Sequence, residues 1–301
     1  MTSRTTRIPA LGLRFGYGTN GFGDHSLDDA LAVLADLGYQ GVGLTLDHRH
    51  LDPFAPDLPR RLTRLAARLD ALGLTAVIET GGRYLLDPRR KHHPTLLSGE
   101  GAALRVDLLR RAVLIAADLD VRVVSFWSGQ APPGLSEAQA WDRLTAGCEE
   151  LTAYAAAHGV TLGFEPEPGM FVDTLDRFDA LRRRLGEPEA FRLTLDIGHC
   201  RCLEPQPVAE CVRRAGPHLV NVQIEDMKRG DHTHLEFGTG EIAFPPVLAA
   251  LAEVGYDGLV GVELPRHSHD APETARRSIE FLTRAATTAA LSVPSVPGGR
   301  R

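Results

Sequence analysis

Acidic, amide and imidazole side chains recur in this chain directly after short apolar runs. The fragments GFEPEPG, LTLDIGHC, VNVQIED and VGVELPRHSH carry Glu165 and Glu167, then Asp196 and His199, then Gln223, Glu225 and Asp226, then Glu263, Arg266, His267 and His269. Earlier fragments add Asp47, His48 and His50 (LTLDHRH), Glu79, and Phe126 with Trp127 (SFWSG). A charge beside a buried apolar run is costly unless it is paired or meets a cation. One such residue is as often a helix cap or a salt bridge. Four in succession, Glu165, Asp196, Gln223 and Glu263, are harder to read that way. They supply oxygen donors only, which suits one hard divalent ion, Mn²⁺ or Mg²⁺, better than zinc. Three carboxylates around a dication leave a net negative centre that still accepts neutral hydroxyls from a substrate.

The chemistry open to such a set is proton transfer next to a carbonyl. Moving a carbonyl along a polyol requires a proton to leave the neighbouring carbon, and two carboxylates flanking the substrate, Glu165 and Glu263, can take and return it. A divalent ion bridging the carbonyl and an adjacent hydroxyl polarises the first and stabilises the enediolate. The same enediolate can expel a leaving group, so a lyase or dehydratase needs the same residues and stays open beside an isomerase or epimerase.

These residues need a scaffold that brings strand ends together. Short β-branched runs at 13–18, 41–46, Thr75–Glu79, 121–127, 161–165, Phe191–Asp196, Leu219–Ile224 and 259–264 alternate with amphipathic stretches at Leu27–Leu37, 57–72, 103–119, 137–158, 175–185, 207–215, 245–254 and 271–286. Eight such units predict a parallel sheet closed into one (β/α)₈ TIM barrel, with chemistry at the C-terminal ends of the strands. An open doubly wound sheet is the alternative. It would want a G-x-G-x-x-G turn after the first strand, and GYGTNGFG does not supply one. In a barrel, strands five and eight lie three steps apart, which sets Glu165 across the mouth from Glu263. Ser26 and Gly38 are the expected N-cap and stop of the first helix. One domain over 1–290 is expected, with LSVPSVPGGRR at 291–301 a disordered tail.

Composition narrows the partners. The 301 residues are 43% hydrophobic with a net charge of −6, and both signs are mixed along the chain. That balance carries no basic stripe and argues against a nucleic-acid partner. The N-terminal fragment MTSRTTRIPALGLRFGYG has no apolar run of signal-peptide or membrane-span length, so a cytoplasmic protein without a membrane partner is expected. Cys148, Cys200, Cys202 and Cys211 form neither a disulfide framework nor a C-x-x-C motif, and packing roles as reduced thiols are expected. The expected partner is a small polyol or keto-sugar-like molecule, with a homo-oligomer left open. The charged loop DPRRKHHPTLL is either a solvated loop or a lid.

The fragments FEPEPG, LTLDIGHC, VNVQIED, EFGTGEIAF and GVELPRHSH resemble the xylose-isomerase-like barrel superfamily, and the resemblance runs from RFGYGTNGF to RSIEFLTR. That superfamily includes sugar-phosphate isomerases, ketose 3-epimerases, hydroxypyruvate isomerase, inosose dehydratase and endonuclease IV. The resemblance implies one divalent metal held by Glu165, Asp196, Gln223 and Glu263. Gln223 stands where most members have His, which is similar to the hydroxypyruvate isomerase branch. Glu167 competes with Glu165 for the strand-five position. The resemblance also implies that His199 touches a substrate oxygen. His48, Glu79, Trp127, Glu167, Arg266 and His267 are further candidate substrate contacts, each with a bland alternative as a rim or core residue. His232 and His234 would add ligands if a polynuclear, endonuclease-IV-like phosphodiesterase site were built instead. A metabolite-binding barrel without catalysis is the remaining reading, and the intact four-ligand set argues against it.

Overall fold

The computed structural model describes residues 10–292. Its strands are β1 (Arg14–Gly18), β2 (Gly41–Thr45), β3 (Thr75–Glu79), β4 (Val123–Phe126), β5 (Thr161–Phe164), β6 (Phe191–Asp196), β7 (Leu219–Ile224), a short β8 (Asp226–Lys228) and β9 (Asp231–Leu235), and β10 (Leu259–Val262). Helices α1 (Leu27–Leu37), α2 (Leu58–Leu72), α3 (Ala102–Asp118), α4 (Glu137–Ala157), α5 (Leu175–Arg184), α6 (Ile197–Leu203), α7 (Val208–Ala215), α8 (Phe244–Glu253) and α9 (Ala271–Ser292) connect or follow them. Eight strands close in the order β1-β10-β7-β6-β5-β4-β3-β2, all parallel, so the expected TIM barrel is what the chain forms.

Closure follows from strands whose outer face is apolar. Val42, Leu44, Val124, Phe126, Val222, Ile224, Val260 and Val262 alternate along their strands and are all buried beneath the helices, while Ser125, Thr194, Asn221 and Gln223 take the opposite, inward face. Pairing Phe15 with Val260 and Tyr17 with Val262 seals the last gap and leaves no free edge. Phe126 packs edge-on to Phe164 with ring centroids 5.2 Å apart. It belongs to an aromatic cluster with Phe191 and with Phe178 of α5, on the helix-facing side of the strands. All four cysteines are buried and free.

Helix signals are honoured locally. Ser26 accepts a bond from the Asp29 amide at 3.2 Å, and Gly38 ends α1 in the left-handed region with φ 91°. Ser136 and Gln139 form a reciprocal capping box at α4. Two features were not expected: α6, directly after β6, and the antiparallel β8–β9 hairpin directly after β7. Helix α9 also continues past 286 to Ser292, while residues 293–301 of the expected tail, like residues 1–9, lie outside the described residues. Among the described residues no helix is long and apolar enough to cross a membrane.

Candidate metal and active site

The C-terminal strand ends surround a cavity of about 450 Å³. Each polar side chain is set there by the strand that carries it. The Glu165 amide extends the β5 ladder by bonding Phe126 O at 2.8 Å, and its carboxylate turns inward. Asp196 ends β6 and caps α6, with Oδ1 accepting the His199 amide at 2.8 Å. That cap fixes the first turn of α6 and swings His199 over the floor. The His199 ring then has Nδ1 3.2 Å from Pro166 O and 3.4 Å from Glu165 Oε1, while Nε2 is 3.0 Å from His232 Nε2 and 3.8 Å from Asp196 Oδ2. On β7, Gln223 donates from Nε2 to Glu79 Oε2 at 3.3 Å, and Asn221 donates to Glu79 Oε1 at 3.3 Å. Glu263, one residue past β10, accepts from Asn20 Nδ2 at 3.0 Å.

Several ligand atoms at this floor make no hydrogen bond. Asp196 Oδ2, Gln223 Oε1, His234 Nδ1 and both oxygens of Glu225 are buried without a hydrogen bond. Such orphans are rare in native interiors and mark a missing partner. Donor atoms of Glu165, Asp196 and His199 lie within 4.8 Å of one another, as do those of Asp196, His234 and Glu263. That spacing is compatible with bonds of roughly 2.0–2.3 Å to one ion between them. The residues therefore fit a divalent cation. Nitrogen donors stand beside the oxygen donors, so the oxygen-only reasoning that ranked Mn²⁺ and Mg²⁺ above zinc does not hold at this floor. A third group joins His199, His232 and His234; the last two ride on β9, folded over the site.

The electrostatics are those of acids crowded without a cation. Burial, and then the charge of Glu263, push Glu79 up to about 8. The same two causes push Glu167 up to about 8 and Glu165 well above the carboxylate range. Burial and then Asp196 push Glu263 up to about 7. Burial lowers His199 to about 3 and His232 to about 4, which keeps both imidazoles neutral and available as ligands.

Of the residues the sequence singled out, Glu79, Trp127, Glu165, Glu167, His199, Gln223, Glu263 and Arg266 line the cavity, and Asp196 lies against His199 just beneath. Trp127 is held as a wall, edge-on to His92 and with the Arg105 guanidinium 5.0 Å from its ring centroid. Arg105 is fixed in turn by the carbonyls of Pro94 and His92. Two candidates are corrected. His48 is 62% exposed and 3.3 Å from Asp52, because Asp47 caps the amides of Arg49 and His50 and turns the chain so that His50 points inward. His267 faces Glu236 at 3.8 Å while its neighbours Arg266 and Ser268 face the cavity. Asn20 and Asn221 were missed as site residues, although GYGTNGF and VNVQIED each place a polar residue beside a strand core. Asp226 has a different task. Its oxygens accept the amides of Gly238 and Gly240 at 2.9 Å, Met227 at 3.0 Å and Ile242 at 3.1 Å, so the FGTGEI stretch is wound around one carboxylate.

Comparison with known proteins gives the same fold. The chain is 24% identical over 249 residues to L-ribulose-5-phosphate 3-epimerase UlaE of Shigella flexneri, covering 81% of this chain and 84% of that one. A solved L-ribulose 3-epimerase superposes with a TM-score of 0.76 at 22% identity, covering 95% of this chain and 100% of that one. The IOLI protein, solved with a bound zinc atom, superposes with a TM-score of 0.72 at 16% identity, covering 92% of this chain and 99% of that one. The family described as xylose isomerase-like TIM barrel matches residues 31–285, which is most of the sequence, and the chain belongs to that family.

Proposed function

We propose that this protein is a divalent-metal-dependent isomerase or epimerase that moves a proton on a small keto-sugar, cyclitol or hydroxy-keto substrate through an enediolate. The observation that carries the reading is the pair Glu165 and Glu263, carboxylates on strands three steps apart that both face the cavity, each pushed upward by burial and by neighbouring acids. The 3-epimerases among the similar proteins support it. Glu165, Asp196, Gln223 and Glu263 would hold the ion, with His199 or His234 nitrogen in reach. A bound dication would supply Lewis acidity at the substrate carbonyl. The chain's own groups do the rest. Asn20 holds one oxygen of Glu263 and leaves the other to the substrate, while His199 Nδ1, bonded to Pro166 O, lies 3.4 Å from Glu165 Oε1. One carboxylate takes a carbon-bound proton and the other returns one on the opposite face. Trp127 walls the cavity, and His199 and Glu167 are placed to bond substrate hydroxyls.

The test is isotope exchange in D₂O with the Mn²⁺-, Mg²⁺- or Zn²⁺-loaded protein and a panel of ketoses, inososes and hydroxypyruvate. Deuterium should enter a carbon next to a carbonyl only when metal is present. Elimination without exchange would favour the lyase, and the absence of both would end the reading. One observation favours a second reading: His199, His232 and His234 meet, as a polynuclear phosphodiesterase would require. That reading needs more than one ion per chain, so a bound-metal stoichiometry of one excludes it.

A further inference from the structure

We infer that the cavity takes an anionic substrate, a phosphorylated or carboxylated ketose whose anionic group is held at the mouth by Arg83, Lys91 and Arg266. This rests on the proposed ketose chemistry at the floor and adds the charge of the substrate.

The cavity is zoned by charge. Its floor holds Glu79, Glu165, Glu167 and Glu263, and its mouth holds Arg83, Lys91 and Arg266 on one side and Asp24, Asp47 and Arg49 on the other, where Asp24 faces Arg49 and Asp47 caps the turn. The three cations come from two loops: Arg83 and Lys91 follow β3, and Arg266 follows β10. All three are exposed. Their fields reach the hairpin histidines and the floor alike: Arg266 acts on His232 and His234, Lys91 on His232 and Glu167, and Arg83 on His234 and Glu263. Among the described residues none of the three side chains makes a hydrogen bond or an ion pair. Neighbouring cations are used up differently. Arg90 is 2.7 Å from Asp87, Arg105 is fixed on two carbonyls, and Arg277 is tied to Glu236 and Asp270.

Unpaired cations over an acidic floor sort a ligand by its two ends. An anionic group would be repelled by the floor carboxylates and attracted at the mouth. A chain of hydroxyls and a carbonyl would be accepted below. Two guanidinium forks and one ammonium match the planar, multidentate acceptors of a phosphate or carboxylate. A neutral ketose needs none of them. The cavity volume of about 450 Å³ lies in the range that encloses a molecule of that size. Among similar proteins, one is an epimerase of a phosphorylated pentose and another of a free one.

The experiment titrates the metal-loaded protein with L-ribulose, L-ribulose 5-phosphate and D-fructuronate, in wild type and in the Arg83→Gln/Lys91→Gln/Arg266→Gln variant. Metal content is measured alongside. Charge-assisted hydrogen bonds to an anion should give at least one charged ligand an advantage of about tenfold to a hundredfold over L-ribulose. That advantage should shrink with added salt and fall below about threefold in the variant, with metal content unchanged. The tighter of the two charged ligands identifies the anion as phosphate or carboxylate. Equal binding of neutral and charged ligands, or a preference that survives the variant, overturns the inference and leaves the isomerase reading intact. Loss of metal in the variant also overturns it, because the cations would then only offset the floor. If no sugar binds, the ketose reading has failed, and the anion site is judged on inorganic phosphate, which must bind wild type and not the variant.

Discussion

Glu165 and Glu263 would each perform half of one proton transfer, so their amide variants are informative together. Glu263→Gln and Glu165→Gln keep size and an oxygen ligand while removing a base. Each should retain most metal affinity and lose at least about two decades of turnover, the usual scale for a general base. Asp196→Ala should lose metal first, since it removes the residue whose free Oδ2 points at the orphan cluster. His199→Ala should mainly raise KM. Wild-type turnover in both amide variants would dispose of the two-carboxylate scheme. The neighbouring Glu225 poses a packing question. It is fully buried, and a Cβ on Gly198 would strike its Oε1 and come within 2.8 Å of the Met227 terminal carbon. Gly198→Ala should therefore cost about 1–3 kcal/mol of overpacking. In Glu225→Ala background that cost should shrink, which a double-mutant cycle of denaturation midpoints can measure. A cost unchanged in the second background would place the strain elsewhere. The four proposed ligands stood out in the sequence because each sits at the end of an apolar run. His48 and His267 misled because loop direction, set by Asp47 and by the turn after β10, is invisible to spacing.

At the scale of elements, the barrel was legible and its decorations were not. Eight apolar runs alternating with amphipathic stretches carry the fold in their periodicity, and strand boundaries moved by no more than two residues. Helix α6 has seven residues, too few for a periodic signal, and depends on the Asp196 cap. The β8–β9 hairpin is polar on both strands and turns at Arg229 and Gly230, with Gly230 at φ 72°, so neither alternation nor a customary Asn-Gly marked it. Yet this hairpin delivers His232 and His234, and the loop that follows it hangs on Asp226. Gly240 is required there, since a Cβ would strike Asp226 Oδ1. Asp226→Ala strands four backbone amides at once. The expected loss is on the order of 3 kcal/mol, less than a simple sum because exposed amides recover water. Asp226→Asn should lose about half as much. A denaturation midpoint for Asp226→Ala equal to wild type would show that the FGTGEI loop holds itself.

For the whole molecule, the barrel concentrates its electrostatic cost at one end. Its outer arginines are offset by acids, as in Arg61–Asp57, Arg111–Asp107 and Arg276–Glu280, whereas the floor stacks buried carboxylates against neutral imidazoles. Without metal, pH should squeeze the fold from both sides. Glu79 and Glu167 are raised from 4.5 to about 8, and Glu263 to about 7. Their contribution is complete below the unfolded value and is lost as pH rises through 7 to 8. His199 and His232 are lowered from 6.5 to about 3 and about 4. Their contribution is complete above 6.5 and is lost as pH falls towards 4 and 3. The acids begin to lose theirs above 4.5 while the imidazoles still gain theirs up to 6.5, so the metal-free protein should be most stable near about pH 4.5 to 5.5 and lose Tm most steeply from about pH 6.5 to 8. A dication reverses the upper limb, because ionised acids and neutral imidazoles are the forms it binds. At a free concentration of one hundred times Kd it adds about 2.7 kcal/mol. Thermal melts in chelator and in excess Mn²⁺ or Zn²⁺ should diverge with pH, the metal-induced rise in Tm at pH 8 exceeding that at pH 6. An equal rise at both values, or a chelated protein most stable at pH 8.5, would mean that the buried carboxylates are compensated within the chain and that the floor does not depend on a cation.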